Sequence, residues 1–300
     1  MPGQLMVLDT PSLWYRAFHA MPSSISAPDG TPSGAVRGTL DLVSRLIREQ
    51  RPARLVAAVD LDWRPAFRVA AVPTYKLHRT TEGGAEDEPA TLHAQVEGVL
   101  EVFRAVGIAV VGAAGHEADD VLGTLATVTS GQVDLVSGDR DMFQLVSPEV
   151  RVLYAVEKFR PWGEAEVAAR YGIPGRAYAD YAVLRGDPSD GLPGVKGVGD
   201  KSAAALVNAF GTVESILDAL DAGVTEGFPA GARNRLEAAR DYLAVAPAVT
   251  RVVTDLDLPQ TGDALPRVPA DPEALVALSD RWGLDAPVER LLQALETAHT

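Results

Sequence analysis

The chain has 300 residues, no cysteine, 47% hydrophobic residues and a formal net charge of −14. That length can bury one large core or two smaller ones, and the lack of thiols excludes a disulfide framework and a thiolate metal site, so a cytoplasmic protein is expected. No stretch is apolar enough for a transmembrane helix, the start "MPGQLMVLDT" lacks the build of a signal peptide, and no membrane partner is expected. The acidic balance argues at first against nucleic acid, whose usual protein footprint is basic, but net charge does not say where the charges lie.

Short β-branched runs alternate with helical patterns through the first half, which predicts βαβ units and a parallel sheet. "QLMVLD" (4–9) reads as a first strand and "GTLDLVSRLIREQ" (38–50) as an amphipathic helix. "RLVAAVD" (54–60) reads as the second strand, and the acidic, glycine-rich stretch 80–90 is expected to be mobile. A helix over 93–107 leads to a third strand at 108–113, and a further helix starts at 117. "QVDLVSGDRD" (132–141) supplies a strand and a turn, and "VRVLYAV" (150–156) another strand. Beyond 164 only helical patterns remain, separated by Gly/Pro turns, so a boundary is expected near 170: an α/β domain over 1–170 and a helical region over 171–300.

In an open parallel sheet, function gathers at the carboxyl ends of the strands. Asp9 ends the first strand, Asp60 the second and Asp139 the fourth, with Asp141 two residues later. The third strand runs into "GHEADD", which carries Glu117, Asp119 and Asp120. On a helix Glu117 and Asp120 share a face, while Asp119 lies about 100° from Asp120. Singly, each has an ordinary reading as a turn acid or as a first-turn acid favoured by the helix dipole. Acids at four successive strand ends are what those readings do not explain. Converging carboxylates raise each other's pKa unless a cation neutralises them, and oxygen ligands without cysteine favour Mg²⁺ or Mn²⁺. Two such ions suit in-line phosphodiester hydrolysis.

"RGDPSDGLPGVKGVGDKSAAALVNAFG" (185–211) adds Asp187 and Asp190, then the turn "GVKGVGDK". Glycines at this spacing let backbone amides approach a phosphodiester, and a helix beginning near Asp200 would point its N-terminus there. Lys196 and Lys201, two of only four lysines, add local positive charge.

Here the chain resembles the 5′-nuclease family of flap endonucleases, phage 5′-exonucleases and the nuclease domain of bacterial DNA polymerase I. The markers are "LDTPSLWYRAFHA", "PTYKLHR", "GHEADD", "SGDRD" and "GDPSDGLPGVKGVGDKSA", over residues 4–260. The resemblance implies a PIN-like parallel sheet with a helical arch near 75–95, followed by an all-helical region with a helix–three-turn–helix DNA-binding element at about 185–211. It implies a first metal site of Asp9, Asp60, Glu117 and Asp119, with Asp139 shared, and a second of Asp141, Asp187 and Asp190, with Asp120 in the same cluster. Lys76 and Arg79 would contact the scissile phosphate, Arg16 would help orient it, and Gly194, Val195, Lys196, Gly197, Val198, Gly199 and Lys201 would bind DNA, with K⁺ possible at the hairpin. Two readings stand for Tyr15: a stack on a base near the cut, or a core aromatic beside Trp14 and Phe18. His78 and His116 read as bystanders.

Three departures stand out. Thr10 follows Asp9 where the family usually has glycine, Gly191 stands where asparagine is common, and the longer "VDLDWRPAFR" offers Asp62 as a rival to Asp60. Asp60 is preferred because it directly ends the strand. The expectation is therefore a monomeric, free-standing Mg²⁺/Mn²⁺-dependent structure-specific 5′-nuclease, both 5′-flap endonuclease and 5′-3′ exonuclease, acting in primer removal and repair. Its partners would be 5′-flap, nicked or gapped DNA duplexes and RNA primer–DNA. The alternatives are a branched-DNA-binding member that does not cut, and a PIN-type ribonuclease.

Overall fold

The computed structural model describes residues 3–82, 84–259 and 261–300. The first half alternates as the pattern requires: β1 (Leu5–Asp9), α1 (Thr10–Ala20), α2 (Gly34–Gln50), β2 (Arg54–Ala58), α3 (Ala66–Ala71), α4 (Ala90–Val106), β3 (Ala109–Val111), α5 (Ala118–Val128), β4 (Val133–Ser137) and β5 (Val150–Tyr154). The sheet runs β3-β2-β1-β4-β5 in parallel. A three-residue strand that the sequence pattern does not announce, β6 (Arg160–Trp162), closes one edge antiparallel to β5.

Strand alternation splits the core in two. Leu5, Val7, Val56, Ala58, Leu135 and Val152 face one way, onto α5 and the helices that follow β6. Met6, Leu8, Leu55, Ala57, Val136 and Leu153 face the other, onto α2 and α4. Both faces are covered, as parallel sheets require.

After β6 come α6 (Glu164–Tyr171), α7 (Tyr178–Arg185), α8 (Asp200–Phe210), α9 (Val213–Asp221), α10 (Ala232–Ala238), α11 (Arg240–Val245), α12 (Pro247–Thr250), α13 (Pro272–Trp282) and α14 (Asp285–Ala298). Their apolar faces divide between the two cores. Leu206, Ile216, Leu236 and Val249 join the first core. Leu275, Trp282, Leu291 and Leu295, from α13 and α14, instead complete the second core over α2 and α4. Arg290 of α14 is bonded to Asp41 of α2 at 2.8 Å. An amphipathic helix declares that it needs a partner face but not which one, and the pattern cannot place α13 and α14.

No single helix among the described residues is long and apolar enough to cross a membrane. The stretch 75–95, where the arch is expected, is helical in part. Between Tyr75 and Pro89 the described residues hold one 3₁₀ turn, Leu77–Arg79, and an isolated antiparallel bridge between Thr80 and Glu86; the α-helix begins only at Ala90. Pro73 and Pro89 flank this stretch and Gly83 and Gly84 interrupt its sequence, which disfavours a continuous helix. Of the acidic stretch 80–90, Gly83 lies outside the described residues.

Candidate active site

The carboxyl ends of β1, β2 and β4 and the start of α5 open into one cleft of about 430 Å³, lined by Asp9, Asp60, Glu117, Asp119 and Asp139 among others. Asp9 is the N-cap of α1: its Oδ1 accepts from the Ser12 amide at 3.1 Å and its Oδ2 from the Ser137 hydroxyl at 2.5 Å. Asp60 accepts the Ala118 amide at 2.6 Å, which fastens the end of β2 to the first residue of α5. Asp62, its rival, lies off the cleft lining and accepts the Arg64 amide in the turn before α3. Thr10, where glycine is usual in the family, keeps an ordinary helical backbone at the start of α1.

Burial and mutual repulsion shape the ionisation of these acids. Asp9 is pushed up to about 7, first by burial and then by Asp60 and Asp139, against the hydrogen bonds from Ser137 and Ser12. Asp119 rises well above the usual carboxylate range through burial and the charges of Asp139, Asp9 and Glu117. A second group lies beyond Asp139. Asp141 is held well up by burial and by Asp139, Asp190 and Asp187, and Asp190 is pushed up to about 6 by burial, with Lys76 opposing and Asp139 adding. The charge of Asp139 thus acts on both groups.

Asp120 stands behind the cleft lining and shares the Arg68 guanidinium with Glu117. Its carboxylate is fully buried and taken up by Arg68 of α3 at 2.6 and 3.1 Å, His116 at 3.1 Å and the Val253 amide at 2.8 Å. His116 is therefore a structural partner of Asp120 rather than a bystander. Arg68, 2% exposed, also bonds Glu117 and the Val249 carbonyl, so one guanidinium ties the cleft to α12. Tyr75 donates to the same Glu117 oxygen at 2.7 Å. Sequence reading missed Arg68. The signal was an arginine inside the otherwise apolar "PAFRVAAV", where a buried charge needs carboxylate partners.

The segment 74–79 straps across the second group. The Lys76 amide donates to the Asp190 carbonyl at 2.9 Å, the Thr74 hydroxyl to the Gly191 carbonyl at 2.8 Å, and Arg79 to the Ser189 carbonyl at 2.6 Å and Asp190 at 3.3 Å. The Lys76 ammonium pairs with Glu117, from a left-handed backbone (φ +47°). Gly191 is explained by this docking: its φ is +72°, and a Cβ there would sit 2.1 Å from the Thr74 carbonyl oxygen.

Tyr15 and Arg16 stand on the cleft wall. Tyr15 packs beside Trp14 while its hydroxyl donates to Glu86 at 3.2 Å. Glu86 and Trp63, also on the wall, were not anticipated.

Between α7 and α8 the glycine turn takes its expected place, but Val195 and Val198 point inward as core residues rather than toward a ligand. Lys196, Gly197, Gly199 and Lys201 are exposed, and Gly194 is intermediate. Gly194 (φ +67°) lies so close to the end of α7 that a Cβ would be 2.5 Å from the Arg185 carbonyl oxygen.

Among the described residues, no three of these side chains stand in a geometry ready to hold an ion, because Lys76, Arg68, Arg79 and Arg140 lie against their oxygens. The donor set nonetheless fits hard divalent cations: it is all oxygen, its acids repel one another, and the buried Asp141 Oδ1 has no hydrogen-bond partner.

Fold and cleft first define a resolvase-like α/β domain continued by a SAM-type helical fold. Residues 4–172 match the N-terminal resolvase-like domain of 5′-3′ exonucleases, and residues 173–273 match their C-terminal SAM fold. The chain belongs to the 5′-3′ exonuclease family. A protein named 5′-3′ exonuclease in Streptomyces coelicolor is 50% identical over 300 residues, covering 97% of this chain and 99% of its own length. One of the same name in Mycobacterium tuberculosis is 47% identical over 316 residues, covering 99% of each. DNA polymerase I of Mycobacterium leprae is 36% identical over 305 residues, spanning 98% of this chain but 32% of the polymerase. Among solved structures, the T5 D15 protein co-crystallised with metal ions aligns with a TM-score of 0.66 at 16% identity, covering 98% of this chain and 99% of its own. The catalytic core of Rad2 with DNA substrate aligns at 0.59 and 18% identity, covering 99% and 92%. At these identities the likeness is one of fold.

Proposed function

We propose that this chain is a divalent-metal-dependent 5′-nuclease that hydrolyses DNA phosphodiesters at flaps and 5′ ends. The carrying observation is the cleft at the carboxyl edge of the sheet, where Asp9, Asp60, Glu117, Asp119 and Asp139 meet in a chain of the 5′-3′ exonuclease family. Those five would hold one ion, and Asp141, Asp187 and Asp190 a second, with Asp139 between them; Mg²⁺ and Mn²⁺ suit this donor set. When bound, such ions make water a competent nucleophile at neutral pH and neutralise charge on the attacked phosphate.

The chain's own residues do the rest. Arg68 and Tyr75 hold Glu117 in place, and the Ser12 amide and Ser137 hydroxyl orient Asp9. Lys76 and Arg79 on the strap, with Arg16 opposite, orient the scissile phosphate and stabilise the charge that builds on it. Tyr15 packs against a base beside the cut. The exposed amides and lysines of the hairpin hold the duplex and would take a K⁺ ion, and the protein acts as a monomer in the cytoplasm on replication primers and repair flaps.

A 5′-labelled flap duplex tests this, with Mg²⁺, Mn²⁺ or chelator and with Asp139→Ala beside the wild type. Metal-dependent cutting near the junction that disappears in the variant is expected. Tight flap binding without cutting in either metal would replace the nuclease with a branched-DNA-binding protein, and preferential cutting of single-stranded RNA would replace it with a ribonuclease.

A further inference from the structure

A second cavity, of about 680 Å³, runs as a trough between α13, α14 and the segment 267–272 that leads into α13. It exists because the two helices spend their apolar faces on different partners: α13 packs on α4 and α14 on α2. Leu275, Val288 and Leu295 are buried at its base, while Val276 is 62% and Val268 73% exposed. A single exposed valine on a surface is ordinary; here two line one concave site together with the half-buried Leu292.

The rim of the trough is acidic. Asp280, Asp285, Glu289 and Glu296 stand on it against one base, Arg267. Asp285 accepts the Ser279 hydroxyl at 2.9 Å and Glu289 the Gln293 amide at 3.1 Å, but among the described residues none of the four acids has a basic partner. The arginines of the two helices are spent behind them, Arg281 on Glu101 of α4 and Arg290 on Asp41 of α2. Along α14, Val288, Leu292 and Leu295 follow one line at i, i+4 and i+7, and Asp285, Glu289 and Glu296 follow the line beside it. Positive charge gathers elsewhere: a basic groove of about 550 Å³, between the turn after β4 and helices α6, α7 and α8, carries Arg140, Arg170, Arg185 and Lys201 and meets the acidic cleft at Arg140.

These charges choose the occupant. Phosphates are repelled by the rim, so the trough is no path for nucleic acid. A second copy docked by two-fold symmetry would set the same acids against themselves. An apolar floor between unpaired acids fits a helix with an apolar stripe flanked by lysine or arginine, laid in the trough as a helix in a groove. We propose that the trough between α13 and α14 is a docking site for a basic amphipathic helix of a partner protein. Its apolar residues cover Val276, Val268 and Leu292, and its cations pair with Asp280, Glu289 and Glu296. The 14 residues of α14 span about 21 Å at 1.5 Å per residue, room for about four turns of such a helix. The assignment does not depend on the nuclease reading.

The probe is a fluorescein-labelled peptide with leucines at helical spacing and lysines between them, titrated with the full chain and read by anisotropy. Saturable binding is expected for this peptide, but not for one with glutamate in place of lysine or for one of the same composition without the helical spacing. Val276→Ser should weaken binding about tenfold, the scale of losing one buried valine contact. Glu289→Gln/Glu296→Gln should weaken it about fivefold at low salt, with the difference fading as salt rises. Thermal melting should stay at the wild-type value in both, because all three side chains are exposed. Glu226→Gln, an exposed acid between α9 and α10, and Asp139→Ala in the cleft should leave binding unchanged. An equal loss in either would make the binding a general attraction to acidic protein and overturn the site. Equal binding of the glutamate peptide would overturn the basic partner, and absence of saturable binding would overturn the docking site itself. A wild-type dimer in sedimentation equilibrium that Val276→Ser dissociates would give the trough to a second copy instead.

Discussion

The acidic cleft and the basic groove meet at Arg140 yet are built on opposite principles. In the cleft, Asp9, Glu117, Asp141, Asp187 and Asp190 are each less than a tenth exposed, and the pKa values of Asp9 and Asp141 are raised by burial and by the charges of other acids. In the groove, Arg170 and Lys201 are exposed and lack acidic partners among the described residues. Buried carboxylates at close quarters are costly until a cation shares their charge, so they select small multivalent ions. Exposed guanidinium and ammonium groups keep their hydration until they meet a polyanion, which they bind through counterion release. A net charge of −14 is compatible with a DNA partner because the two kinds of charge are kept in separate compartments.

The largest expected effect falls on the cleft alone. Asp139→Ala should lower the metal-dependent cleavage rate by on the order of a thousandfold, the scale of losing one preorganised electrostatic contact. Duplex binding in chelator should persist, and a parallel loss of both would break the separation between the two compartments.

Arg68→Met comes next, because it leaves Glu117 and Asp120 buried without their counter-charge. Breaking a buried pair in this way costs about 3–5 kcal/mol. Denaturant unfolding measures it, and a loss below about 1 kcal/mol would show that Arg68 does not anchor the cleft.

The third effect depends on pH. The folded protein holds the Asp9 proton more tightly than the unfolded chain, with a pKa of about 7 against an ordinary 3.8. Its contribution to stability is therefore fully present below about pH 4 and is lost as the pH rises through 7. Thermal melts in chelator should show stability declining across this window, less steeply in Asp9→Asn, and Mg²⁺ should raise the melting temperature more at pH 8 than at pH 5. An Asp9→Asn profile parallel to the wild type would remove Asp9 from the repelling cluster.

The smallest effect belongs to the hairpin. Lys196→Ala should reduce the salt slope of duplex binding by about 0.9, with no change in stability. An unchanged slope would shift the duplex contact away from the hairpin and toward the groove.

Much of the site was legible because its chemistry is local. Asp9, Asp60 and Asp139 stand at or just past the ends of β-branched runs, and strand ends open to one edge of a parallel sheet. Glu117 and Asp120, three apart, do meet at one guanidinium, that of Arg68, which the spacing could not name. Glu117 is the N-cap of α5, with an extended backbone (ψ 163°). Val195 and Val198 sat in a motif expected to touch DNA, yet a turn exposes its glycines only if its apolar residues anchor it from beneath.

The sequence by itself determined the alternation of strands and helices, the edge of the sheet where the acids emerge and the glycine turn between α7 and α8, since these depend on periodicity and on residues a few positions apart. Tertiary structure alone decided that Arg68 would spend its charge on Asp120 and Glu117, 52 and 49 residues away, that segment 74–79 would strap onto Asp190, and that α13 and α14 would return to the first half of the chain. It also gathered Arg140, Arg170, Arg185 and Lys201 around one groove. Each of these is a pairing of distant segments, and a one-dimensional pattern states what a side chain needs without stating which distant partner will supply it.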